Sequence, residues 1–309
     1  MRLFFIRHAE SVDNVAGLLA GSRDASLTAH GVIQAQRLAE HLASRLDSIG
    51  PVRRIFSSPM QRTLRTAQAV ADVVVREHHD SQRADAASTL NIVKVDELRE
   101  KHMGALEGSK WGVKPPGDKA ESFSDDMETR EHMSARAVKF IDEHLVPALE
   151  PHFACDRSSN RATARGSILV VSHGIFLNIF LRSLLERFAP AELQRLSNSE
   201  APQPKGLVSF SNTGFVEVVV SARDASATDE TDPVRLPGRV LALHLQVVAI
   251  NSVGHLQGLK KTRARRLETP NAEGASLRAA AKAQRDAIIP IQTCAARSGS
   301  RARRGRLGG

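Results

Sequence analysis

An arginine and a histidine, Arg7 and His8, stand directly after the short apolar run Leu3-Phe4-Phe5-Ile6. A run of this length, rich in large side chains, reads as a buried strand, so the pair falls where the strand's carboxyl end meets solvent. A histidine held beside a guanidinium is suited to attacking a phosphoryl group. The arginine fork binds two phosphate oxygens while the imidazole approaches phosphorus. Three further groups share the placement: Arg62 follows Ile55-Phe56-Ser57-Ser58-Pro59, Glu100 follows Ile92–Val95, and His173 follows Ile168-Leu169-Val170-Val171-Ser172.

Such groups meet only if the elements beneath them line up. Parallel neighbouring strands would bring their carboxyl ends to one edge, where ligands of open α/β sheets bind. Segments of helical periodicity separate the runs. From Leu27 to Leu46, Thr28 is placed to cap a helix whose Val32, Ala35, Leu38, Ala39, Leu42 and Leu46 recur three or four apart. Met60 to Val75 and Asp125 to Leu149 follow the same rule, and Ile175 to Phe188 is more apolar all round. Later strand-like runs lie at Phe215–Val220 and Val240–Ile250. This alternation predicts an α/β fold, a three-layer α/β/α sandwich around a mixed, mostly parallel sheet. Ser109 to Ser124, Asp156 to Gly166 and Ala222 to Gly238 read as loops.

The chain has 309 residues, 41% hydrophobic and 25% charged, enough for one large core. Cys155 and Cys294 show no metal-like spacing and argue against a disulfide framework, which suits a reducing compartment, cytoplasmic or nuclear. The first apolar stretch is too short for a signal-peptide core or a membrane span. The formal charge of +9 is local: from His255 onward, 13 Lys or Arg face three acids, so the rest is close to neutral. After Leu259 the chain is rich in Ala, Arg, Ser and Gly and poor in large apolar residues. We therefore expect a catalytic domain over 1–258 and a basic, disordered tail over 259–309, with a weak helix near Ser276 to Ala287.

The ordered motifs resemble the histidine phosphatase superfamily, also called the phosphoglycerate mutase-like family. They are Arg7-His8-Ala9-Glu10-Ser11 with Asn14, Leu27-Thr28 with Gly31 and Gln34-Ala35, Ser57-Ser58-Pro59 with Arg62 and Thr66-Ala67, Glu100 with Gly104 and Glu107-Gly108, and Val171-Ser172-His173-Gly174. The resemblance implies a phosphoglycerate mutase-like sandwich and a covalent phosphohistidine, with no metal and no cofactor. By position it makes His8 the nucleophile and Glu100 the acid that protonates the leaving oxygen and then activates water. Arg7, Arg62 and His173 would hold the phosphoryl oxygens. Ser11, Asn14, Ala20, Gly21, Ser22 and Gly174 would line the phosphate pocket. The attacking nitrogen of His8 must be bare, so its other nitrogen should donate to a backbone carbonyl. Glu97 and Glu107 are rivals for the acid role, and the spacing of Glu100 to Gly104 and Gly108 favours Glu100.

Three departures from the family pattern bear on activity. Alanine stands at position 9 in place of the usual glycine, a cost of about 1 kcal/mol only if φ there is positive. Gly174 is followed by Ile175 where mutases carry asparagine, and Lys110 to Asp125 contains no arginine. A lid poor in cations is a weak site for a second phosphate. The expected function is hydrolysis of a small phosphorylated metabolite; the alternatives are a phosphoglycerate mutase, or a phosphate-binding scaffold whose basic tail contacts nucleic acid.

Overall fold

Strand β1 (Arg2–Arg7) buries four consecutive apolar side chains because both of its faces are covered. Leu3 and Phe5 enter one core and Phe4 and Ile6 the other, as the two-residue period of a strand requires. The computed structural model describes residues 1–80, 90–112, 126–154, 166–197, 207–224, 234–236 and 239–260. The basic segment from residue 261, with the weak helix expected near Ser276, lies outside the described residues, as does most of the loops expected over 109–124 and 156–166.

The sheet has seven strands, in the order β3 (Ile92–Lys94), β2 (Val52–Ser57), β4 (Ser167–Ser172), β1, β5 (Phe215–Asp224), β7 (Arg239–Ser252) and β6 (Val234–Leu236). The first four are parallel and the last three add antiparallel, giving the mixed sheet that the alternation predicts. Strand β6 falls within the segment 222–238 that reads as a loop, and it pairs along the end of β7. Three residues, Val234-Arg235-Leu236, are too short a run for periodicity to detect.

One layer holds α2 (Ala29–Ala43) and α4 (Gln61–Asp80), following α1 (Val12–Ala16) and α3 (Leu46–Ile49) in the chain. Thr28 caps α2, its hydroxyl oxygen accepting from the Gly31 amide at 2.9 Å. The buried stripe runs through Gln34, Ala35, Leu38, Ala39 and Leu42. Val32, expected on this stripe, is 57% exposed, and Gln34 takes the inner place because its carbonyl accepts from the Glu10 amide at 2.9 Å. Gly31 permits the approach: a Cβ there would stand 2.1 Å from the Glu10 carbonyl oxygen. Glycine thereby lets the helix rest on the loop that follows His8.

The opposite layer is built from α5 (Arg130–Phe140), which runs through a π turn into α6 (Val146–Ala154), and from α7 (Gly174–Phe188), with α8 (Pro190–Ser197) after it. Phe140, Phe176 and Phe180 are buried here with Phe5 and Phe56, packed ring edge to face at 5.0–5.4 Å for three of the pairs. Full burial of each such side chain stabilises the fold by about 1.5–3 kcal/mol. Among the described residues, no helix is long and apolar enough to cross a membrane.

Candidate active site

Parallel register places the first four groups. Arg7 of β1 is aligned with Ser172 of β4, so the residues that follow, His8 and His173, emerge side by side. The His8 amide donates to the Ser172 carbonyl at 3.0 Å, and the two rings lie 5.2 Å apart at 63°. Strand β2 lies on the other side of β4 and delivers Ser58, whose amide bonds the Val171 carbonyl, and then Arg62 in the first turn of α4. The segment after β3 delivers Glu100. All four strand ends therefore open on one edge.

His8 and His173 are buried, and hydrogen bonds define their tautomers. His8 Nδ1 lies 2.7 Å from the Ala9 carbonyl oxygen, which can only accept, so Nδ1 carries the proton and Nε2 the lone pair. For His173, the Arg62 Nε–H donates to Nδ1 at 3.3 Å, which leaves Nε2–H to donate to the Ser58 hydroxyl at 3.0 Å. Burial, reinforced by the Arg7 and Arg62 charges, holds His8 well below the usual value of 6.5; its bond to Ala9 works weakly the other way. Burial also holds His173 well below that value, followed by the Arg62 charge. Both imidazoles are neutral at neutral pH, as a nitrogen nucleophile requires.

This has a cost in acid. As pH falls below 6.5, the unfolded chain binds protons that the folded histidines refuse, so their stability contribution is full above that value and is lost below it. Each removes up to about 1.4 kcal/mol per pH unit until its own lowered pKa is reached. His255, held at about 4 by burial, acts in the same direction. Urea midpoints should therefore fall steadily between pH 6.5 and 5, before carboxylates titrate. A midpoint that stays level over that interval would contradict the neutral assignment.

Arg62 is 1% exposed and is spent mainly on the protein. Nη1 donates to the Arg23 carbonyl at 2.6 Å, and Nη2 to those of Ala20 and Gly21, both at 3.1 Å. With Nε on His173, only one N–H of Nη1 is left for a ligand among the described residues. Arg7 donates through Nη1 to the Phe210 carbonyl at 2.7 Å, while its Nε is enclosed without a partner among the described residues. Burial pulls this guanidinium down from its ordinary value, Glu100 opposes the shift and Arg62 adds to it.

Glu100 accepts from the Lys101 amide at 2.9 Å and from the Ile175 and Phe176 amides, at 3.2 and 3.0 Å, at the start of α7. Its rivals are engaged elsewhere. Glu97 pairs with Lys139 at 2.6 Å. Glu107 accepts from the amides of Gly21, Ser22, Arg23 and Met103. Burial pushes the Glu107 carboxyl up, and those amides outweigh it and hold the group below its ordinary value.

The expected pocket residues divide. Gly21 and Ser22 line a cavity of about 670 Å³ together with Glu100. A Cβ on Gly21 would stand 2.0 Å from the Lys101 carbonyl oxygen, so glycine lets this loop close on the segment that carries Glu100. Ala20 offers its carbonyl to Arg62, and Gly174 begins α7 beside the Arg7 side chain. Asn14 accepts from the Ser11 amide and from Asn212, at 3.1 and 3.0 Å. Ser11 is wholly buried, and its hydroxyl caps α1 in a reciprocal box with Asn14. Ala9 is not among the positive-φ residues, so alanine there carries no backbone penalty; its amide donates to Thr66 Oγ1 at 3.0 Å.

Sequence reading missed Ser58 as the partner of His173, and Asn212 and Thr213 as a clamp. Asn212 Nδ2 donates to the His8 carbonyl at 3.1 Å. The Thr213 amide bonds the Arg7 carbonyl at 3.1 Å, with Thr213 held at φ 55°. The turn letters Ser211-Asn212-Thr213-Gly214 ahead of β5 were the available signal.

The family model for the histidine phosphatase superfamily (branch 1) matches residues 3–203. Among curated relatives, a protein named Probable phosphatase from Schizosaccharomyces pombe is 28% identical over 262 residues, 84% of this chain and 72% of that one. One named Probable phosphoglycerate mutase from Proteus mirabilis is 29% identical over 201 residues, 64% of this chain and 81% of that one. The fold is shared with a mycobacterial glucosyl-3-phosphoglycerate phosphatase, with TM-score 0.53 and 19% identity over 81% of this chain and 99% of that chain. It is shared too with a phosphoglycerate mutase from Bacillus anthracis, with TM-score 0.51 and 17% identity over 83% and 95% of the two chains.

Proposed function

The chain belongs to the histidine phosphatase superfamily, whose members act as phosphatases or mutases, and from that premise we propose that it hydrolyses a small phosphate monoester through a phosphohistidine on His8. The observation that carries this reading is the His8 tautomer. Nδ1–H is tied to the Ala9 carbonyl, and the lone pair on Nε2 belongs to a ring that burial and two guanidinium charges keep neutral.

In the first step the Nε2 lone pair forms a bond to phosphorus while the P–O bond to the alcohol breaks. Glu100 gives its proton to the departing oxygen. In the second, Glu100 takes a proton from water, the water oxygen attacks phosphorus, and the N–P electron pair returns to Nε2 as inorganic phosphate leaves. Arg7, whose Nε is enclosed and unpartnered among the described residues, and the spare N–H of Arg62 supply donors to the phosphoryl oxygens, and His173 adds a polar wall beside His8. A phosphoglycerate mutase is the second reading, supported by relatives of that name. The two separate in one assay. Release of phosphate from p-nitrophenyl phosphate should outpace interconversion of 3- and 2-phosphoglycerate, and the reverse order would make the protein a mutase.

A further inference from the structure

The cavity beside the phosphate site has a charge pattern of its own. It begins at Gly21, Ser22 and Glu100 and widens over α5 and the segment between β3 and Glu100. Five carboxylates and three permanent cations line it. Each cation already has an acid. Arg136 binds Glu128 through two bonds, at 2.7 and 2.8 Å, in a pair 17% and 7% exposed. Lys139 holds Glu97 at 2.6 Å with Glu143 at 3.8 Å, and Arg99 holds Asp96 at 3.2 Å. An anion that drew Arg99 away would leave Asp96 unpaired in its place, with no net gain of positive charge. Asp126 is exposed, lines the same cavity, and has no cation paired with it among the described residues.

The two ends of the site thus differ in sign. Arg7 and Arg62 make the phosphate end cationic, while the far end holds an acidic excess. Building on the hydrolase reading, we propose that the substrate is a phosphate ester of an alcohol bearing a cationic amine, and that a second anionic group on the alcohol is rejected. Asp126 is the residue that sets this preference, by attraction across the open side of the cavity. Arg136 serves a different purpose. It also donates to the carbonyls of Glu97 and Arg99 and stacks on the Phe176 ring, so it fixes the backbone ahead of Glu100 and is not available to a ligand.

Three esters of similar length test this: phosphoethanolamine, 2-hydroxyethyl phosphate and phosphoglycolate, which end in an ammonium, a hydroxyl and a carboxylate. With the full chain, kcat/KM should fall in that order, about tenfold between the charged extremes, the scale of a reversal of unit charge near an exposed carboxylate. Asp126→Asn should flatten the series and Asp126→Lys should reverse it, with p-nitrophenyl phosphate turnover retained in both. Binding of the same three esters to His8→Ala protein by calorimetry gives the ranking without any chemistry. A level series, or phosphoglycolate ranked first, in turnover or in binding overturns the charge preference. If no ester and no p-nitrophenyl phosphate is cleaved while the binding order holds, the hydrolase reading fails and the cavity's preference stands.

Discussion

His8→Ala should lower phosphate monoester turnover by at least about 10³-fold, because it removes the proposed nucleophile. The loss should appear in kcat and kcat/KM together, since the missing bond exists only beyond the ground state. Stability should change little by comparison. The ring is 4% exposed and its removal leaves a gap, but it also removes a neutral imidazole kept from protonating by burial and, after it, by two guanidinium charges. The acid-dependent loss of stability below pH 6.5 should therefore be shallower in the variant. A second measurement fixes the role: wild-type protein quenched during turnover should carry phosphate that is acid-labile and alkali-stable, and the variant none. A residual rate within tenfold of wild type would falsify the mechanism.

The four groups at the strand ends were legible because the sequence states both their types and that each follows an apolar run, and parallel pairing brings those strand ends to a common edge. Arg7 opposite Ser172 is the clearest case, since one register places His8 against His173. The roles of the surrounding polar residues were not legible. Ser58 meets His173 across 115 residues, and Asn212 meets His8 across 204, through bonds that no local pattern announces. Val32 fits the apolar spacing of α2 and yet faces outward, because the part-buried Glu10 amide needs an acceptor that valine lacks and Gln34 supplies. Ser11 is expected from its motif to line the phosphate pocket, and its spacing to Asn14 also satisfies a capping box, the bond in which its hydroxyl is found. Where periodicity and polar satisfaction compete, an unpaired buried amide costs about 1–3 kcal/mol, enough to outweigh one half-buried methyl group.

Arg62→Ala should reduce both activity and stability, a pairing that follows from how its donors are used. Four N–H groups go to the carbonyls of Ala20, Gly21 and Arg23 and to His173 Nδ1. Their loss leaves three carbonyls and a ring nitrogen short of partners, the Gly21 carbonyl and the ring nitrogen in a buried place. Relief of the charge's own desolvation offsets part of this, so the net destabilisation should be about 2–4 kcal/mol. Turnover should fall by about 10³-fold, because the loop that carries Gly21 and Ser22 loses its anchor and the phosphoryl group loses a cation. Arg62 also helps hold His8 and His173 below the usual histidine range, so removing it lets both titrate at higher pH and moves the acid limb of the rate profile upward. Arg62→Lys separates the contributions. An ammonium restores the charge, and with it the position of the acid limb, but its three donors cannot span the carbonyls that the planar fork reaches, so thermal stability should stay low. A variant with lowered turnover and an unchanged melting temperature would show that Arg62 acts on the ligand alone and that the loop is held without it, by Glu107 through the amides of Gly21, Ser22 and Arg23.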